Sequence, residues 1–254
     1  MTLTVISLLS GMSFLAGLID AVAGGGGLIL MPSLLVAGIP PQMALGTNKF
    51  AGMLGTMTAL INFVRSRKVI WKIALVGVGF SLAGSVLGTR AILHFDQATA
   101  AKIIVFLLPV PAILTFLPKK LVKTSETEFS AVHMYLHVPL LCLVIGFYDG
   151  FFGPGTGTFL IFGFYAFLGL HLINASAISK VFNLASNVGS FVTFVFAGKV
   201  LYSIGIPITL ANILGGYLGS TLAIRKGQGF IKAILILVFV LLFLTLVFKY
   251  LGHG

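Results

Sequence analysis

Four charged side chains in this sequence stand where charge is expensive. Asp20 and Asp149 lie deep within apolar stretches, and Lys49 and Lys180 lie on the stretches that follow them. A charge at the centre of a membrane helix costs about 3 kcal/mol on insertion scales, so it is seldom kept there without a purpose. Acids in such places can carry protons, and lysines can hold an anion. Lys180, Asn183 and Asn187 fall at i, i+3 and i+7, which puts them on one helical face. In the first half Asn48 precedes Lys49, and Gly52 and Thr56 follow at the same spacing. A lysine at a helix end can also snorkel to the interface. The matched placement of the two lysines, and the amides beside Lys180, weigh against that for this pair.

Each acid is followed by a glycine cluster: Gly24-Gly25-Gly26-Gly27 after Asp20, and Gly153-Pro154-Gly155-Thr156-Gly157 after Asp149. Glycine costs a helix about 1 kcal/mol per residue and an internal proline about 3, so both segments are expected to unwind. Unwound backbone inside a bilayer is tolerated only where protein or a water-filled cavity satisfies it. The helix that restarts beyond each cluster would present free N–H groups and a positive dipole end to an anion. Tight packing through small residues is the plainer alternative, but packing motifs space glycines four apart instead of clustering them. Two lysines and several amide donors facing two such helix starts would make an electropositive cavity for a small anion, with Asp20 and Asp149 as proton carriers.

The elements that must position these residues are membrane helices. Apolar residues make up 58% of the 254 positions and charged residues only 8%, with a mean hydropathy of +1.14. A soluble domain carries roughly 25% charge, so this surface cannot face water and must face lipid. Apolar windows near the 20 residues that a spanning helix needs recur along the chain, without the short alternating strands of a membrane barrel. Helices are expected near 3–22, 27–38, 43–64, 72–93, 99–117, 134–152, 158–169, 174–197, 203–223 and 231–250. Two of these, at 27–38 and 158–169, are too short for a full crossing, which leaves eight to ten transmembrane or broken helices. The formal charge of +11 is spread over short loops, at Arg65 to Lys72, Lys119 to Lys123 and Arg225 to Lys232. That is the placement of cytoplasmic helix ends, not of a nucleic-acid surface. Cys142 stands alone in an apolar run, so a buried structural role is expected and no disulfide framework. No Lys or Arg precedes the first apolar stretch, which argues against a cleaved leader.

The chain also echoes itself. Gly17-x-x-Asp20-x-x-x-Gly24 matches Gly146-x-x-Asp149-x-x-x-Gly153 at an offset of 129. Lys49 with Lys180, Lys68-Val-Ile-Trp71 with Lys199-Val-Leu-Tyr202, and Gly84 and Gly88 with Gly215 and Gly219 match at 131. Four matches in order indicate two homologous repeats, 1–118 and 131–254, joined by a polar linker at 119–130. Transporters are commonly built this way, with the substrate between the repeats near the bilayer midplane. Counting Lys and Arg by loop favours inverted over parallel repeats, since positive residues then concentrate on one side.

Gly17-x-x-Asp20-x-x-x-Gly24-Gly-Gly-Gly27, followed by Gly46-Thr47-Asn48-Lys49 and echoed by Asp149-Gly-x-x-Gly153-Pro-Gly155-Thr-Gly157, resembles the sulfite exporter TauE/SafE family across essentially the whole chain. The resemblance implies a multi-pass permease or exporter in a bacterial or archaeal plasma membrane, carrying sulfite, organosulfonates or related sulfur-containing anions. The second half departs from the first in having Ser179 where Asn48 stands, and Pro154 among its glycines. The expected partners are a small anion and the lipid bilayer. No enzymatic activity, cofactor or resident metal is expected: there is no Gly-Lys-Ser/Thr for ATP, and the glycines lack the preceding strand and following acid of a dinucleotide site. Two other functions use comparable residues. A passive anion channel could use the same lysines and glycines. An intramembrane aspartyl protease would need Gly-x-Gly-Asp, and this chain offers only Gly17-Leu-Ile-Asp20.

Overall fold

A computed structural model of the chain describes residues 2–107 and 132–251. The linker at 119–130, the basic cluster at Lys119 to Lys123 and the helix tail up to 117 lie outside the described residues. Nine α-helices follow one another in the described parts. They are α1 (Leu3–Ala23), α2 (Gly27–Val36), α3 (Pro41–Arg65), α4 (Trp71–Leu93) and α5 (Gln97–Leu107), then α6 (Val138–Phe151), α7 (Thr156–Leu168), α8 (Leu172–Phe196) and α9 (Tyr202–Leu251). One π-turn, His133–His137, leads into α6.

The boundaries follow local chemistry. α1 ends where Gly24 takes the left-handed conformation (φ 75°) and gives its N–H to Asp20 O, a conformation open to glycine without a Cβ penalty. α3 begins with Pro41 at its first turn, where the missing N–H costs nothing. Asp96 caps α5 by accepting the Thr99 N–H at 2.7 Å, and that bond holds its exposed carboxyl below the usual carboxylate range. The helices expected at 203–223 and 231–250 are the two arms of α9, joined across a kink at Gly227, whose φ of 70° and ψ of −156° are not helical.

Four segments, Leu3–Ala23, Trp71–Leu93, Met134–Phe151 and Tyr202–Gly227, are long and apolar enough to cross a membrane, while α2 is apolar but short. Leu75, Leu140, Leu210 and Leu214 are each more than half exposed, which only lipid makes comfortable. Cys142 is buried and unpaired in a disulfide.

Close backbone contacts fix the helix directions. Along α1 and α9, Ser13 meets Ile208 and Gly17 meets Asn212, then Leu18 meets Gly219. Numbers rise together, so these helices are parallel. α3 joins them in the same sense, with Gly205 beside Thr47, Gly55 beside Asn212 and Asn62 bonded to Ser220. Ser81 and Thr89 of α4 meet Gly146 and Gly150 of α6. Ser81 and Ser85 meet Phe182 and Gly189 of α8, so α4, α6 and α8 are likewise mutually parallel. α3 opposes α8: Phe50 stacks on Phe191, whereas Gly52 lies against Asn187. Two sets of three helices therefore run in opposite senses, and α1 and α6 belong to different sets.

Small residues carry this packing, because between helices in lipid the gain comes from close van der Waals approach. A Cβ on Gly17 would strike the Asn212 carbonyl oxygen, and one on Gly146 would strike that of Ser81. Gly215 lies in the same way on Phe14, and Gly84 on Leu143. The first helix of each half thus packs on the last described long helix of the other.

Candidate functional site

The two glycine clusters meet at the centre. Gly24 and Gly157 touch backbone to backbone, with no room for a Cβ on either. Thr158 gives its N–H to Gly24 O at 3.3 Å and its hydroxyl to Ala23 O at 2.8 Å. Gly24 to Gly26 and Gly153 to Gly155 are unwound as expected, whereas Gly27, Thr156 and Gly157 already belong to α2 and α7, and the Thr158 N–H is committed to protein.

Beside this contact lies a cavity with about 40 Å³ open to the centres of water molecules, room for roughly three waters or one small solute. Its wall brings together Asp20, Gly24, Gly26 and Gly27 from the first break and Asp149, Gly153, Thr156 and Gly157 from the second. Asn48 and Lys49 of α3 and Asn183 and Asn187 of α8 complete most of it. Gly25, Pro154, Gly155 and Lys180 do not line it. Pro154 instead packs against Gly27 and accepts the Tyr148 hydroxyl at 2.6 Å.

The lysines and acids are paired across the halves. Lys49 Nζ lies 2.7 Å from Asp149 Oδ1, and Lys180 Nζ lies 3.3 Å from Asp20 Oδ2. Removing two charges from water is repaid only by close pairing and further hydrogen bonds, so each cation takes the acid that the other half supplies. The expected electropositive cavity is therefore corrected: with both pairs ionised, the four charges cancel.

The pairs differ in kind. Lys180 is fully buried and donates to the Asp20 carbonyl oxygen as well as to its carboxylate, tying down the end of α1. Asp20 accepts a further, long bond of 3.4 Å from Thr56 and keeps a partly exposed side chain, at 19%. Asp149 is nearly sealed, at 3%, and its Oδ2 has no partner among the described residues. The Asn187 amide donates to Asn183 Oδ1 at 3.2 Å, which fixes the order of that row.

Sequence reasoning missed Asn212, Ala16 and Leu30, which also line the cavity. Asn212 had a signal. It is an amide in a run, Val200 to Ile224, without one charged residue, and its Nδ2 donates to Ser13 O at 3.0 Å. Among the described residues no three His, Cys, Asp or Glu side chains gather as a metal set.

Two opposed sets of apolar helices around a small polar cavity, with buried ion pairs and unwound backbone at its wall, define a multi-pass membrane protein. The profile of the sulfite exporter TauE/SafE family matches residues 9–246, and the chain belongs to that family of membrane transporters. A probable membrane transporter protein of Sinorhizobium sp is 39% identical over 92% of this chain and 89% of its own length. One from Haemophilus influenzae is 38% identical over 91% and 90%. The probable membrane transporter protein YfcA of Escherichia coli is 33% identical over 95% and 88%. No solved structure matches the chain.

Proposed function

We propose that the chain is a secondary transporter of small anions, of the sulfite or organosulfonate kind that the family's description names, acting in a bacterial or archaeal plasma membrane. The observation that carries this reading is the cavity itself. It is walled by the unwound segments of both halves and by Lys49, with the amides of Asn48, Asn183, Asn187 and Asn212 around it. Its size suits a small solute, and its donors suit oxyanions. Lys180, held off the cavity here, belongs to the same machinery in this reading.

The crossed contacts and the opposed directions of α1 and α6 support two inverted repeats, 1–118 and 131–254. Such halves can exchange conformations and open one site to either side in turn. Arg67 follows α3, and Lys226 lies on the parallel α9, so the two share a membrane side, while Lys199 follows the opposed α8. The basic count favours the Arg67 side as the cytoplasmic one. Single cysteines at Arg67, Lys199 and Lys226 in a Cys142→Ser background should react with an impermeant thiol reagent from outside only at position 199. Outside labelling at position 226 would refute the inverted arrangement.

The pairs support a reading with proton coupling. Protonating Asp149 or Asp20 removes its claim on a lysine, so a proton and an anion favour each other's binding. Purified protein in liposomes should take up sulfite or a sulfonate saturably, faster when a pH gradient drives it. Asp149→Asn or Asp20→Asn should leave anion binding and remove the dependence on that gradient. Large unsaturating currents would indicate a channel, and an unchanged pH dependence in both variants would leave the acids structural.

A further inference from the structure

Three buried polar side-chain atoms lack a hydrogen-bond partner among the described residues: Asp149 Oδ2, Ser190 Oγ and Thr209 Oγ1. Only Asp149 lines the cavity. Its other oxygen sits 2.7 Å from the Lys49 ammonium, a geometry that an ionised carboxylate makes, so Oδ2 is an acceptor waiting for a donor. An acceptor left unsatisfied in a buried site carries a full desolvation penalty.

Several neighbouring donors are spoken for. The Thr156 hydroxyl goes to Gly153 O, the Thr56 hydroxyl to Asp20, and the Asn212 amide to Ser13. Lys180 is held by Asp20. No described group brings a hydrogen to Oδ2, so an occupant of the cavity can. We propose that the transported species is a small monoanion bearing its own O–H or N–H group, whose anionic oxygens meet Lys49 while its donor satisfies Asp149 Oδ2. Two carboxylates in the wall, Asp20 and Asp149, oppose a second negative charge on the ligand. This inference rests on the anion-transporter reading and narrows its substrate to one that donates as well as accepts.

Isosteric pairs test it. Sulfamate and methanesulfonate differ by an NH₂ in place of a CH₃, and glycolate and propionate by an OH in place of a CH₃. Binding of all four to the purified full chain in nanodiscs would be measured calorimetrically. The donor-bearing member of a binding pair is expected to bind roughly 10- to 100-fold more tightly, as sites built to bond an OH or NH reject analogues without it. Asp149→Asn should reduce that ratio to about threefold or less. Equal affinity within each pair in the wild type would overturn the inference, since water would then be satisfying Oδ2, and would leave the anion site standing. Preference within the carboxylate pair alone would uphold the inference and remove the sulfur-anion reading. If none of the four binds, both fall.

Discussion

Lys49→Met is expected to lower anion flux by about a hundredfold or more, the scale of losing a buried charged partner. It is also expected to destabilise the protein. Lys49 is 2% exposed and its partner Asp149 3%, so the substitution leaves a buried carboxylate at the cavity wall without its cation. Removing one partner of a buried pair costs about 3–5 kcal/mol, whereas replacing both is often close to neutral. The double variant Lys49→Met/Asp149→Asn should therefore recover most of the thermal stability of the purified protein while flux stays lost. That contrast separates the lysine's part in transport from its part in folding. Near-normal flux in the single variant, or flux restored in the double one, would sink the assignment of Lys49 to the anion.

Gly24→Ala should be comparably severe for a different reason. The residue holds a φ of 75°, where an L-residue with a side chain loses roughly 1–2 kcal/mol. Its Cβ would also overlap Gly157 across the contact between the two breaks, and overpacking adds about 1–3 kcal/mol. A combined loss of about 2–5 kcal/mol is a large share of a folded protein's net stability. Gly11→Ala and Gly79→Ala are the controls: both are helical and a Cβ at either meets open space, so they should be neutral or slightly stabilising. Thermal unfolding in detergent reads all three. A Gly24→Ala protein as stable as the Gly11→Ala protein would mean that the breaks do not depend on this contact.

Much of the helical layout was legible in the sequence because lipid imposes length and composition on each segment. The expected helix at 43–64 is α3 at Pro41–Arg65, and that at 174–197 is α8 at Leu172–Phe196. The unwound segments were legible because few residue types but glycine and proline break a helix in lipid. Asn48, Lys49, Asn183 and Asn187 could be suspected because helical spacing reveals a shared face. Spacing along one helix says nothing about what stands opposite, however. The pairing of Lys49 with Asp149 joins residues 100 positions apart on helices from different halves, and periodicity carries no trace of it. The kink at Gly227 falls in the gap expected between the helices at 203–223 and 231–250.

The partnership of α1 with α9 has a consequence for biosynthesis. A ribosome that has finished α8 has placed Asp20 near its future partner Lys180, yet it has not made the helix on which Gly17 and Phe14 pack. The N-terminal helix must wait in the bilayer with a bare glycine face until residues beyond Tyr202 arrive. Burial of that face is thereby tied to the arrival of α9, and a product interrupted before Tyr202 would leave Gly17 uncovered.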